Sequence, residues 1–205
     1  TDAIDEVASK PIAFVQATGT TYNTGNIALT AKVADGDSVI VVVDNNSATS
    51  NFPVTDASNN TYQCVFQPYL TSEGSDWVSV FVSFNVKGGF DVVHVALPPD
   101  AGGYDMYAAE YSGLSAFDIA VTGSTTSTAT DALMTSPVSL TNVPALLFAY
   151  AESLNDIAAP GTNFTKRSNY DGNLLEDRIV STAASYKATA TNMGNSSDIV
   201  LAVFH

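Results

Sequence analysis

Four acidic residues lie in or beside stretches that favour β-strands and are the first candidates for chemistry. They are Glu110, Glu152, Glu176 and Asp177. Two carboxyl groups held across a cleft can hydrolyse a glycosidic bond, one as the acid and the other as base or nucleophile. The alternative is that these groups face solvent or form ion pairs with Lys166, Arg167 or Arg178. Because a sequence does not give the separation of two carboxyl groups, we adopt the alternative and predict that the chain is not an enzyme.

Nucleophilic and zinc-dependent catalysis have less support still. Ser112–Ser115 lacks the G-x-S-x-G frame of a nucleophile elbow. A zinc site needs several Cys and His ligands, whereas the chain has one Cys and two His. His94 falls within a regular strand pattern, so we expect a structural role for it. Cys64 precedes Val65 and Phe66, which predicts a buried thiol that behaves as a small apolar side chain.

Calcium is the one cofactor that the sequence leaves open, because oxygen donors stand in glycine-containing loops. The donors are Asp100, Asp105, Asp171 and Asn173. Neither pair has the spacing of an EF-hand, and Asp or Asn in a turn commonly binds its own backbone. We therefore expect no resident cofactor and keep calcium at these residues as an alternative.

Aromatic residues at strand ends and in loops are the best candidates for ligand binding. They are Tyr69, Trp77, Tyr104, Tyr107 and Tyr170. The C–H face of a sugar packs on a flat ring while neighbouring Asn and Asp side chains bind its hydroxyl groups. For any single ring the simpler interpretation is that it covers an edge of the core.

Four Asn-x-Ser/Thr triplets are acceptors for N-linked glycans in a suitable exported context. They begin at Asn45, Asn59, Asn163 and Asn195. A chain this rich in Asn, Ser and Thr also produces such triplets by chance, so their use is left open.

All of these side chains must be positioned by strands, and the clearest strand covers Trp77–Val86. Valines and one phenylalanine alternate there with serines and other residues, and a period of two is a strand signature. The glycines of Lys87–Gly89 predict a turn. Asp91–Leu97 is a second strand candidate, so we expect a β-hairpin.

Further strand candidates follow at the spacing of a sandwich. They are residues 12–17, 26–32, 38–44, 61–67, 104–112, 118–122, 138–140, 145–153, 164–168, 174–181, 186–191 and 198–204. Turn residues such as Asp35-Gly36 and Asp171-Gly172 separate them. No stretch carries a helical period over three turns, and we find no convincing internal repeat. The predicted fold is all-β: a two-sheet antiparallel β-sandwich of jelly-roll or Greek-key type.

The first residues differ from the rest of the chain. Residues 1–11 are acidic, lack the strand period and end at Pro11, and Ile4 and Val7 could lie on one helical turn. We therefore divide the chain into an N-terminal arm, residues 1–11, and a single β-sandwich domain, residues 12–205.

Composition excludes some partners and indicates a compartment. The formal net charge is −14 with only 7 Lys and Arg, so nucleic acid and anionic membrane surfaces are not expected partners. No apolar run is long enough to span a membrane. Scarce charged residues, abundant hydroxyl and amide side chains and a start at Thr1 are typical of a mature exported chain. We expect an extracellular or cell-surface location.

Several segments resemble a β-sandwich module of secreted and cell-surface bacterial proteins, a family without a settled name. They are Ile12–Gln16, Asp35–Val43, Val54–Tyr62, Phe84–Gly89, Ala109–Leu114 and Leu175–Ser181. Together they extend over about residues 12–204. The resemblance implies an exported, non-catalytic part of a surface system and says little about activity.

Two functions are therefore expected. The first is a structural or adhesive subunit that self-associates, or joins other surface proteins, into a filament, sheath or appendage. Strand or arm exchange would use Ile4, Val7, Ile12, Phe14 and Val15. The alternative is a secreted carbohydrate-binding module that uses the aromatic residues named above, with or without calcium.

Overall fold

The computed structural model describes residues 10–21, 25–46, 52–72, 76–98, 103–126 and 132–205. Nearly all of these residues lie in strands or in the turns that join them, and every strand pairing is antiparallel. The predicted all-β class is therefore confirmed. Within the described ranges there is no helix of the length and apolarity needed to cross a bilayer.

The strands are numbered in chain order. They are β1 (Ala13–Thr21), β2 (Asn26–Ala28), β3 (Ser38–Asn45), β4 (Val54–Asp56), β5 (Gln63–Leu70), β6 (Trp77–Ser83), β7 (Val92–Val95), β8 (Tyr104–Ser112), β9 (Phe117–Thr125), β10 (Ala132–Met134), β11 (Val138–Leu140), β12 (Ala145–Ser153), β13 (Ile157–Pro160), β14 (Thr165–Ser168), β15 (Leu174–Val180), β16 (Ala184–Tyr186), β17 (Thr189–Asn192) and β18 (Ser197–Phe204). A 3-10 turn, Tyr170–Gly172, precedes β15.

Two central sheets, each of five described strands, pack face to face. The first has the order β1-β8-β3-β6-β5 and the second β14-β15-β12-β18-β9. Their facing sides form one core, to which Ile40, Tyr107 and Tyr111 contribute from the first sheet and Phe148 and Phe204 from the second. The antiparallel sandwich is thus observed, and the jelly-roll connectivity stays a prediction.

Smaller sheets cover the outer faces of both central sheets. The sheet β2-β7-β4 packs on the first, and the sheets β10-β17-β13 and β11-β16 pack on the second. Strands β3, β12 and β18 are consequently buried on both faces. That explains why their sequences are nearly continuous apolar runs instead of alternating ones.

The predicted hairpin of residues 77–97 is wrong. Strand β6 pairs with β3 and β5 in a central sheet, whereas β7 pairs with β2 and β4 in the outer sheet. The glycines serve a close approach between loops: the Gly89 amide donates to the Val33 carbonyl over 2.9 Å, and a Cβ on Gly88 would lie 2.4 Å from that same oxygen. Glycine is needed there because no side chain fits, so the chain crosses between layers instead of turning back.

The two halves of the chain share one topology, although the sequence shows no convincing internal repeat. The order β1-β8-β3-β6-β5 recurs as β9-β18-β12-β15-β14, and the outer order β2-β7-β4 recurs as β10-β17-β13. Strand register then relates individual residues. Asp44 pairs with Asp105 in the first half, as Glu152 pairs with Asp198 in the second.

Candidate functional site

A cavity of about 410 Å³ opens where the two central sheets end. Its wall carries five acidic residues, Asp44, Asp76, Asp105, Glu152 and Asp171. Tyr104 and Asn173 contribute an aromatic ring and an amide, and Leu154, 67% exposed, lies at the rim. The cavity therefore combines many hydrogen-bond acceptors with a limited apolar surface.

Strand direction explains why these residues meet. Asp44 stands near the end of β3 and Asp105 near the start of β8, and antiparallel neighbours bring those two ends together. Glu152 stands near the end of β12 in the second sheet. Residues two and four positions before Asp44 and Glu152 point into the core between the sheets. By the two-residue period both carboxyl groups point inward too, so the interior changes from apolar to acidic at this end.

Two buried tyrosines contact residues around the cavity. The Tyr150 hydroxyl donates to Asp44 Oδ2 over 2.7 Å. The Tyr107 hydroxyl donates to the Tyr170 carbonyl over 2.8 Å, and the Tyr107 and Tyr150 ring centroids lie 5.1 Å apart. These contacts tie the carboxylate of one half and the turn of the other to the shared core.

The 3-10 turn brings Asp171 to the cavity. Asp171 and Gly172 both have positive φ, 50° and 81°, a conformation that glycine, Asn and Asp tolerate best. Gly19 of β1 lies directly beneath the turn, since a Cβ there would stand 2.6 Å from Tyr170 Cβ. The close approach therefore fixes the position of the turn against β1.

Asp105 is a cavity residue whose protonation is strongly altered. Burial, with added repulsion from Asp171 and Asp76, raises the pKa of Asp105 to about 7, although the hydrogen bond from Asn173 opposes the shift. That bond joins Asn173 Nδ2 to Asp105 Oδ2 over 3.1 Å. Near neutral pH the Asp105 carboxyl group can thus act either as a donor or as an acceptor.

Asp198, the register partner of Glu152, has a different environment from the other three paired carboxyl groups. Asp198 accepts hydrogen bonds from the Tyr69 hydroxyl at 3.0 Å, from the Ser72 amide at 2.8 Å and from the Ser72 hydroxyl at 2.5 Å. These bonds fix the end of β5 and the residues after it. Asp198 thus has a structural role, and only three of the four equivalent carboxyl groups line the cavity.

The sequence matches no protein-family model, and no curated protein or solved structure is similar enough to count as a match. Function is argued below from geometry. The resemblance to bacterial surface modules stays a prediction.

The predicted aromatic residues divide into several environments. Tyr104 lines the cavity, and Tyr170 is 43% exposed on the adjacent turn. Tyr107 is fully buried in the core, so the prediction that its ring is available to bind a sugar is wrong. Trp77 is half-buried and Tyr69 is tied to Asp198. The cavity therefore brings together Tyr104 and the Tyr170 turn but not the other three.

Most of the predicted calcium donors lie together at the cavity, unlike the predicted aromatic residues. Asp105, Asp171 and Asn173 all line the cavity, while Asp100 lies outside the described residues. In the described part of the chain, no three His, Cys, Asp or Glu side chains are arranged to hold a metal ion. Calcium at this site stays a prediction.

The other candidate acids do not meet in a cleft. Glu110, Glu176 and Asp177 are buried. The prediction that these side chains face solvent is therefore wrong. The predicted ion pair with Arg167 is observed for Asp177, whose Oδ2 lies 2.9 Å from Arg167 Nε. Glu152 alone lines the cavity. Sequence reasoning missed Asp44 and Asp76, although Asp44 ends the apolar run of β3, which is a recognisable signal.

The remaining candidates have ordinary structural contacts. His94 Nδ1 lies 2.9 Å from Asn26 Oδ1. Burial raises the pKa of the half-buried Cys64 thiol, which makes the thiolate nucleophile less accessible. Asn45 is 1% exposed, so a glycan cannot attach there in the folded chain. Asn59 and Asn163 are exposed in turns, and Asn195 is half-buried.

The residues predicted for strand exchange have mixed positions. Ile4 and Val7 lie outside the described residues. Ile12 and Phe14 pack against the core between the central sheets, and the Phe14 ring contacts Tyr111 edge to face at 5.7 Å. Val15 is 48% exposed.

Proposed function

We propose that this chain is a secreted, non-catalytic carbohydrate-binding protein whose ligand occupies the cavity between the ends of the central sheets. The observation that carries the proposal is the convergence of Tyr104, Asp105, Asp171 and Asn173 on one cavity of about 410 Å³. Ligand-binding cavities commonly have volumes of about 300–1,000 Å³. A single sugar ring with a neighbouring unit would fit that volume.

The chemistry of the wall favours a polyhydroxylated ligand. Carboxylates accept hydrogen bonds from hydroxyl groups, and the Asn173 amide can both donate and accept. Tyr104 and the exposed Leu154 offer apolar surface for the C–H face of a ring. Five acidic residues repel anionic sugars, so neutral or amino sugars are the ligands expected.

The first experiment compares two variants of the full chain in calorimetric titrations with soluble neutral and amino oligosaccharides. We expect Tyr104→Ala and Asp105→Asn each to weaken binding about tenfold, the equivalent of one lost hydrogen bond or ring contact. Asp105→Asn keeps the shape of the side chain but removes its charge. Tyr186→Ala is the matched control, because Tyr186 lies in the outer strand β16 and should bind like the wild type.

Unchanged affinity in both cavity variants would contradict the proposal. The same samples are assayed for released reducing ends, since a protonated acid beside ionised carboxylates is also what a glycosidase uses. We expect intact oligosaccharide; turnover that Asp105→Asn abolishes would replace binding with catalysis.

Self-association is a second candidate, favoured by one observation. Strand β1 lies at the edge of its sheet, pairs with β8 alone among the described strands, and exposes Val15. An exposed apolar residue on an edge strand can seed pairing with another chain. Strand β1 begins near Lys10, at the end of the sandwich opposite the cavity. Sugar binding and self-association can therefore be tested separately.

The test of association is sedimentation of the full chain over a wide range of concentration. If β1 mediates assembly, the wild type forms species larger than a monomer, and both Val15→Lys and removal of residues 1–11 return it to a monomer. Ile119→Lys is the matched control, because Ile119 is 43% exposed on β9, an edge strand of the second sheet. A wild type that stays monomeric throughout would rule out this candidate.

A further inference from the structure

Glu176 is a fully buried carboxyl group in a place that the fold otherwise fills with an apolar residue. It pairs with Ala149 across β15 and β12 and faces the outer layer of the second sheet. In the first half, Phe81 pairs with Val41 across β6 and β3 at the equivalent register position. Phe81 is part of the apolar core there. A carboxyl group is therefore not required for packing at this position.

The hydrogen bonds of Glu176 are incomplete. Its Oε2 accepts from the Gly161 amide over 2.8 Å, but its buried Oε1 has no hydrogen-bond partner among the described residues. Glu110, also fully buried, shows the contrast: its two oxygens accept from Gln16 Nε2 at 2.6 Å and from the Ala34 amide at 2.9 Å. A buried carboxylate with one donor is costly, whereas a neutral carboxylic acid tolerates that environment better.

The Gly161 amide belongs to a turn that joins two layers. Residues 161–164 connect β13 of the outer sheet to β14 of the central sheet, and the Phe164 amide donates to the Gly161 carbonyl over 3.0 Å. A Cβ on Gly161 would lie 2.2 Å from the Thr189 carbonyl oxygen of β17. The Glu176–Gly161 bond therefore ties the central sheet to the turn at a point where the outer layer is closely packed.

No cation compensates Glu176 among the described residues. Lys166 is its register partner on β14 but is exposed, and Arg178 lies over the Tyr186 ring at 5.3 Å. Lys187 contacts Met134 Sδ. Asp177 is next to it but on the opposite face, paired with Arg167. Strands β13 and β17 carry no titratable residue, and on β12 Tyr150 faces the inner core and Glu152 the cavity.

We propose that Glu176 is a proton-operated latch: as a neutral acid it holds the turn of residues 161–164 against the central sheet, and as a carboxylate it weakens that contact. In agreement with the geometry, burial raises the pKa of Glu176 from 4.5 to about 7, with repulsion from Asp177 adding and the Gly161 hydrogen bond opposing.

The direction of the pH effect follows from proton linkage. Opening lowers the pKa of Glu176 towards 4.5, so the closed form binds more protons than the open form between pH 4.5 and about 7. Opening therefore becomes easier by roughly tenfold per pH unit across that interval and changes little above it. The latch is strongest in acid and weakest above neutral pH.

The test is amide hydrogen exchange of the full chain between pH 5 and 8, expressed as protection relative to an unstructured peptide. In the wild type we expect the protection of the Gly161 and Phe164 amides to fall roughly tenfold per unit up to pH 7. The Glu176→Gln side chain is neutral at every pH and keeps an acceptor for the Gly161 amide. In this variant the protection of the two amides should not vary with pH. The turn in which the Asn59 amide donates to the Asp56 carbonyl is the control within each sample.

Two results would overturn the latch. One is an equal pH dependence of Gly161 protection in the wild type and in Glu176→Gln. The other is a carboxyl carbon of Glu176 that titrates by NMR below pH 5 in the wild type, and this measurement decides the matter even if the variant does not fold.

Discussion

Phe148→Ala should lower the free energy of unfolding by about 4 kcal/mol, the range for a large aromatic side chain removed from a packed core. Phe148 is 1% exposed, and its ring lies edge to face with Tyr111 and Phe204, each at a centroid distance of 6.3 Å. Tyr111 belongs to the opposite central sheet, so the loss falls on the contact between sheets. Urea unfolding should show a lower midpoint with an unchanged slope.

Phe66→Ala is the matched control for this result. Phe66 is half-buried on the edge strand β5 and only borders the same core, so its removal should cost less than half as much. Equal losses in the two variants would mean that the facing sides of the sheets do not form the principal core.

Arg167→Ala should destabilise the chain by about 3 kcal/mol, because it leaves a buried charge without its ion partner. Arg167 Nε lies 2.9 Å from Asp177 Oδ2, and the Asp177 side chain is 2% exposed. The same guanidinium stands 3.7 Å above the Phe14 ring, so it also joins edge strand β14 of one central sheet to β1 of the other. In the variant, the Tyr111 hydroxyl, 2.7 Å from Asp177 Oδ2, is left as a partner of that carboxylate.

A second variant separates the lost charge pairing from lost packing. Arg167→Ala combined with Asp177→Asn removes the unpaired charge and should recover part of the stability. Arg178→Ala is the control, since Arg178 contacts a ring but has no carboxylate partner among the described ion pairs. Chemical unfolding that gives similar values for Arg167→Ala and Arg178→Ala would contradict the role assigned to the Arg167–Asp177 pair.

The long central strands could be predicted because burial on both faces leaves a direct record in the sequence. The predicted bounds of β8, β11 and β12 agree with the structure. Strands β4, β10, β13 and β16, each of three or four residues, were missed. They form where the central sheets offer an apolar face to cover, which is a tertiary effect and not a local preference.

Neither the position of β7 nor the repeated topology could be predicted. Ser79 and Ser83 of β6 are buried beneath an outer sheet that no local sequence pattern reveals. Without that layer in view, β7 was the natural partner for β6. The halves likewise preserve burial and register but not residue type, as Glu176 and Phe81 show, so no similarity between them is visible in the sequence.

The candidate site was predicted in pieces. Tyr104 was selected for ring packing, and Asp105, Asp171 and Asn173 for calcium, on separate grounds. What the sequence does not contain is their meeting at one end of the sandwich. That depends on the pairing of β3 with β8 and on the packing of one sheet against the other, both of which join residues distant in the chain.

The most direct test of the cavity as the binding site is a map of amide chemical shifts while the full chain is titrated with neutral and amino oligosaccharides. We predict that the largest shifts fall on Asp105, Ser153 and Asn173, which line the cavity. No shifts with any of these sugars, or shifts confined to Asp35, Asp37 and Ser115 at the other end of the strands, would contradict the account.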